Sequence, residues 1–136
     1  MATILTSQGC GWIRDSLTGS SVTGSPTADY IGWGTGAGTA TKPDVALFAE
    51  SSTGISNGGE IRILAARTLS GTDVLQWIGT LTANSSKTIT NAGNFTYGLS
   101  STSGNAQNLI IIKGDFTGIA VQANDRIQFT MQMQIT

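Results

Sequence analysis

From Arg126 to Thr136 the chain alternates without a break. Ile127, Phe129, Met131, Met133 and Ile135 fall on one side, with Arg126, Gln128, Thr130, Gln132 and Gln134 on the other. A period of two sustained over this length fits a β-strand with one buried face. Such a strand needs an apolar layer to pack on, so further strands must supply it. Serine and threonine make up a quarter of the chain, and there are 18 glycines. Threonine suits a pleated, half-wet surface, while Gly, Ser and Asn supply turns.

Upstream the same reading continues. Gln122 to Asp125 is a turn, Phe116 to Val121 a shorter strand, and Asn108 to Lys113 an apolar run bounded by Gly114 that suits a strand buried on both faces. Glu60 to Leu69 and Val74 to Thr82 are strands joined at Ser70–Asp73, and Ala83–Ser86 turns into a strand at Lys87–Thr90. Gly98 to Gln107 reads as a surface loop. Near the start, Trp12, Ile13, Ser16 and Leu17 line one side of a short helix over Cys10–Leu17, ended by Gly19–Ser21 and by Gly24–Thr27. Tyr30–Trp33 is a strand, Gly34–Gly38 a loop, and Pro43–Asp44 opens one helical turn. The expected fold is an all-β antiparallel sandwich of seven or eight strands with a short N-terminal helical element. With 136 residues it is expected to be one domain, residues 1–9 forming a possible N-terminal arm.

Only 11% of residues are charged, against roughly a quarter in ordinary domains, and the net charge is −1. Phosphate neutralisation, and hence nucleic-acid binding, is not expected. Without histidine there is no Ser-His-Asp triad or histidine-ligated metal, and Cys10 alone makes no internal disulfide. No apolar stretch is long enough for a membrane helix, and Met1–Leu5 lacks the features of a signal peptide, so cytoplasmic synthesis is expected.

Several groups of residues have the types that chemistry would need. Glycines 32, 34, 36 and 38 match neither a dinucleotide fingerprint nor a Walker loop, which leaves turn chemistry. Asp29, Asp44, Glu50, Glu60, Asp73, Asp115 and Asp125 are scattered singly, and a glycosidase needs two such groups flanking a sugar. Asp115 with Asn124 and Asp125 offers oxygens for a Ca²⁺ ion but lacks the EF-hand spacing. Trp12, Trp33, Trp77, Tyr30 and Tyr97 suit a sugar-stacking platform, although the aliphatic neighbours of the tryptophans favour core packing for at least two. Cys10 reads as a small buried hydrophobe, and the sequons at Asn84 and Asn94 carry little weight without secretion. No catalytic residue, cofactor or metal is expected. Ile4 and Leu5, isolated ahead of Cys10, have two readings: a strand added to a neighbour or to a larger assembly, or an edge strand of the chain's own sheet over Thr3–Ser7.

The order of segments resembles a family of tailed-bacteriophage structural proteins. The resemblance runs through a helix like Ile13–Leu17, the strand and glycine loop Tyr30–Gly36, and the short apolar stretch Asp44–Glu50. It continues in an arginine strand at Ile63–Arg67, the segment Ile89–Phe95, and a closing pair of strands from Lys113–Phe116 to Asn124–Thr130. Asn91 and Asn94 stand where the family carries an acid and a leucine, and the Gly98–Gln107 insert is longer. The resemblance implies a capsid decoration (cement) protein, not an enzyme, on the outer surface of the virion head. Its partners would be the major capsid protein and itself, as a homotrimer, and it would be made in the host cytoplasm. The alternative is a tail-fibre or host-surface glycan-binding module.

Overall fold

The computed structural model describes residues 2–19, 28–51, 61–98 and 109–136. Among them the elements run β1 (Ala2–Leu5), α1 (Ser7–Thr18), β2 (Tyr30–Gly34), β3 (Ile63–Leu64), β4 (Ala66–Leu69), β5 (Val74–Thr82), β6 (Lys87–Phe95), β7 (Ile110–Val121) and β8 (Arg126–Gln134). They build two antiparallel sheets, one of five strands ordered β1-β7-β6-β2-β3 and one of three ordered β4-β5-β8. Ile31, Trp33, Ile89, Ile111 and Ile112 of the larger sheet meet Trp77 and Leu81 of the smaller one in a shared core. The apolar side of β8 borders that core, where Phe129 and Trp33 meet in a T-shaped pair at 6.3 Å between centroids. The alternation that opens the sequence reading is thus the packing pattern of the fold, an all-β sandwich with one short helix.

β5 has the boundaries its sequence implies, and the Gln122–Asp125 turn forms with Asn124 at a φ of 73°. The Asp125 carboxylate accepts from the Gln122 amide at 2.7 Å and holds that turn. The helix begins earlier than its apolar spacing indicates. Thr6 is extended and its hydroxyl accepts from the Gly9 amide, an N-cap that satisfies one orphan donor of the first turn. Gly19, at a φ of 68°, ends it as expected.

Four expectations need correction. The apolar run and the strand after Gly114 are one strand, β7, because Gly114 pairs directly with Thr3 and with Ala92. A register shift makes Asn94 pair with Ile112 and Phe95 with Ile110, leaving Ile111 as the extra residue of a bulge. Ile111 and Ile112 therefore both enter the inter-sheet core, while Ile110 joins Leu47 and Phe95 in a second cluster. The strand expected over Glu60–Leu69 is broken within its described residues: Ile63–Leu64 and Ala66–Leu69 lie in different sheets, and the amide of buried Ala65 between them donates to the Asp29 carbonyl at 2.6 Å. The strand at Lys87–Thr90 continues to Phe95. Pro43–Asp44 opens no helix, because Asp44 turns back to accept from the Thr41 amide and hydroxyl. The expected breaks at Ser20–Ser21 and Gly24–Thr27, Asn108, Glu60 and the loop after Gly98 lie outside the described residues.

Candidate interaction surface

Ile4 and Leu5 lie in β1, opposite Lys113 and Ile112 of β7. The chain uses them as an edge strand of its own sheet, with Leu5 packed against the core. The outer edge of β1 has no strand partner among the described residues. Just beyond it, the buried Thr6 hydroxyl reaches the carbonyl oxygens of Ile110 and Ile111, and Gln8 Oε1 accepts from the Ile110 amide at 3.0 Å. β1 and the start of α1 are thus one unit sealing the edge of β7.

β8 forms the edge of the smaller sheet. Its register with β5 aligns Gln132 with Gln76, Thr130 with Ile78, Gln128 with Thr80 and Arg126 with Thr82, all on the side away from the core. Thr68 of β4 extends the row, opposite Gln76. Gln132 donates to Gln76 at 2.7 Å, Gln76 to Thr68 at 3.4 Å, and Gln134 to Asp73 at 2.8 Å. Across the outward positions of these strands, Arg126 is the one charged side chain. The result is a weakly charged face on which glutamine and threonine predominate, interrupted by Val74, Ile78 and Ala66.

The inward side of β8 faces β7 across a gap. A cleft of about 180 Å³ opens there, between Phe129 and Met131 of β8 and Ile112, Gly114 and Phe116 of β7, with Thr3 of β1 at its rim. Phe116 and Phe129 meet at 6.1 Å between centroids. Among the described residues the cleft holds no ionisable side chain.

The opposite, outer face of the larger sheet is covered by residues 35–51. Asp44 Oδ2 accepts from Lys113 Nζ at 2.8 Å, and Lys113 also donates to the Ala46 carbonyl while lying 3.2 Å from the Phe48 ring centroid. Glu50 takes two hydrogen bonds from Arg62, at 2.6 and 3.0 Å, and Arg62 lies over the Phe95 ring. Both cations are only 1% exposed. Partial burial pushes the Asp44 carboxyl up, but the bonds from Lys113 and Thr41 and the Lys113 charge outweigh it and hold Asp44 below its ordinary value. Burial lowers the Arg62 guanidinium from its usual value, against the opposing pull of Glu50. Buried Asn91 ties the same segment down, accepting from the Phe48 amide and donating to the Phe48 carbonyl.

The other candidates separate. The glycine loop serves close approach: a Cβ on Gly34 would lie 2.4 Å from the Phe48 carbonyl oxygen. Asp115 sits mid-way along β7 and accepts from the Ala40 amide, whereas Asn124 and Asp125 occupy the turn beyond Val121, roughly 20 Å along the strand. Among the described residues no three His, Cys, Asp or Glu side chains group as metal ligands. Trp33 and Trp77 are core residues, Trp12 and Tyr30 are half-buried, and Tyr97 is exposed, so the five rings do not form one platform. Cys10 is half-buried, and Asn94 is buried while Asn84 is exposed. No helix of the described residues is long and apolar enough to cross a membrane.

Sequence reasoning missed Thr6, Arg62, Asn91 and Lys113 as structural residues. For Lys113 and Arg62 a signal existed: each is a lone cation in a β-type apolar run. Comparison with protein-family models, with curated proteins and with solved structures finds no match to this chain.

Proposed function

We propose that this chain is a structural protein of a tailed-bacteriophage virion, a decoration (cement) protein bound across junctions of the major capsid protein on the outer surface of the head. In this reading it is made in the host cytoplasm, self-associates on the particle as a homotrimer, and needs no cofactor, membrane or nucleic acid. The observation that carries the reading is the outward face of β4, β5 and β8, where glutamine and threonine predominate beside Val74, Ile78 and Ala66, with Arg126 as the one charge. Such a face can be covered by protein without desolvating ions, the step that makes charged surfaces costly to bury. The resemblance of the segment order to the phage family points the same way.

The test is copy number and location. Gels of purified virions that show hundreds of copies, with imaging that shows density on the head lost when the gene is deleted, support decoration. A few copies per particle, with density at the tail, would instead establish the alternative, a tail-fibre or glycan-binding module. Placement of the contact is tested by Gln132→Lys: reduced occupancy on heads lacking this chain at unchanged stability supports the outward face, and full occupancy removes it from the interface.

A further inference from the structure

The three-stranded sheet ends in β8, and among the described residues no strand lies beyond it. The other free edges are short: β1 and β4 have 4 residues each and β3 has 2, whereas β8 has 9. The register of β8 with β5 runs from Arg126 to Gln134 without a bulge, and the strand contains no proline, glycine or lysine. Those are the devices that usually keep a sheet edge from accepting another strand. Bonds at its two ends fix where its backbone points. The Ile135 amide donates to the Asp73 carbonyl, and the Ala83 amide to the Asp125 carbonyl. Bonded pairs alternate along an antiparallel ladder, so the odd-numbered residues of β8 turn their amides and carbonyls to β5. Arg126, Gln128, Thr130, Gln132 and Gln134 turn theirs to the open edge.

The cleft lies against this edge. Phe129 and Met131 point inward yet are only half-buried, whereas Trp77 and Leu81 of β5 are fully buried. Thr130 and Gln132 also line the cleft although their side chains belong to the outer face, so they border it through their backbone. We propose that the edge of β8 and the cleft form a strand-addition site for an extended segment of a partner protein, apolar at alternate positions and acidic at one end. The edge offers amides and carbonyls at the spacing of an extended backbone, and another such backbone satisfies the whole row. In antiparallel pairing, the residues opposite Phe129 and Met131 enter the cleft beside Phe116 and Ile112. An apolar cavity of about 150 Å³ takes up benzene, so this cleft of about 180 Å³ has room for a phenylalanine or leucine side chain. Its lining holds no ionisable group to complement a charge. Arg126, exposed at the end of the edge, has no ionic partner among the described residues, and an acid at the C-terminal end of the incoming strand meets it. The β8 of a second copy carries no acid and so complements this edge less well. Strand addition leaves the outward face of the sheet uncovered, and the site needs no capsid.

The probe is a capped synthetic peptide in which threonine alternates with leucine, phenylalanine and leucine, with aspartate last. Titrated into the full chain, it should bind saturably and shift the backbone amide NMR signals of Thr130 and Gln132. Methylating the peptide nitrogens of its threonines, which face β8, should weaken binding at least about tenfold, whereas methylating those of its leucines, which face away, should change it less than about twofold. Replacing its phenylalanine by serine should cost about tenfold or more, and replacing its aspartate by lysine should weaken it further. On the protein, Thr130→Pro removes an edge amide without touching the ladder to β5 and should abolish binding. The peptide series needs no variant, so it decides the matter even where the proline impairs folding. The proposal is overturned if no peptide binds saturably, or if both methylations weaken binding equally. It is also overturned if the β8 signals shift with protein concentration alone, which would make a second copy the occupant.

Discussion

Replacing Gly9 and Gly11 of α1 by alanine, one at a time, should change stability in opposite directions. In a helix interior alanine is favoured over glycine by about 1 kcal/mol, so propensity alone predicts that both substitutions stabilise. Packing separates them. A Cβ on Gly11 meets nothing within 4 Å, and that variant should gain the propensity term, about 0.5–1 kcal/mol. A Cβ on Gly9 would sit 2.5 Å from the carbonyl oxygen of Ile111 and 2.8 Å from Leu5 Cδ1. The first of these is backbone in the bulge of β7, bonded to Thr6, and cannot swing aside as a flexible side-chain tip would. The helix must lift off, an overpacking cost of about 1–3 kcal/mol that exceeds the propensity gain. The two variants should therefore differ by about 2 kcal/mol. At roughly 2 cal/mol/K of unfolding entropy per residue, that separates their melting temperatures by about 5–8 °C. Thermal unfolding followed by circular dichroism measures it, with chemical denaturation as the check. A Gly9→Ala variant as stable as Gly11→Ala would refute the seating of α1 on β7.

Other expectations follow from the charged and capping residues. Asp44→Asn leaves the Lys113 ammonium buried without its counter-charge and should cost about 2–4 kcal/mol, whereas Lys113→Met, which removes the buried charge, should cost less in urea titrations. Because folding depresses the Asp44 carboxyl, its contribution is fully present above the unfolded value of 3.8. It is lost as pH falls through the lower folded value, so wild-type stability should drop in acid and Asp44→Asn should flatten that dependence. Thr6→Ala removes the helix cap and a hydroxyl on two buried carbonyls, and should lower unfolding free energy by about 1–2 kcal/mol. Deleting residues 2–7 should destabilise the domain itself, since it strips β1 and that cap from β7; an unchanged melting curve would restore these residues as a detached arm.

Much of the fold was legible because strand periodicity is a local property. Val74–Thr82 reads as a strand between turn signals, and Gly19 marks the helix end because only a left-handed residue closes it at no strain. The helix start was not legible from apolar spacing, since Thr6 does its work through a single hydroxyl. Gly114 misled because glycine more often ends a strand than lies within one, whereas here it stands between Thr3 and Ala92. The candidate surface was half visible: the glutamine and threonine side of β8 is plain in the sequence, but its continuation across Gln76 and Thr68 depends on pairing.

By itself the sequence determined that residues 126–134 form a one-sided strand, that the chain is built of antiparallel strands, and that it has few charges with which to do chemistry. Tertiary structure decided which strand meets which. It placed Ile4 and Leu5 in the chain's own sheet, put Ile63–Leu64 and Ala66–Leu69 in different sheets, and set Lys113 and Arg62 beneath the segment that carries Asp44 and Glu50. The physical reason is range. Side-chain alternation is written every second residue, whereas the partner of Lys113 lies 69 positions away, and only the folded backbone brings that carboxylate within 2.8 Å.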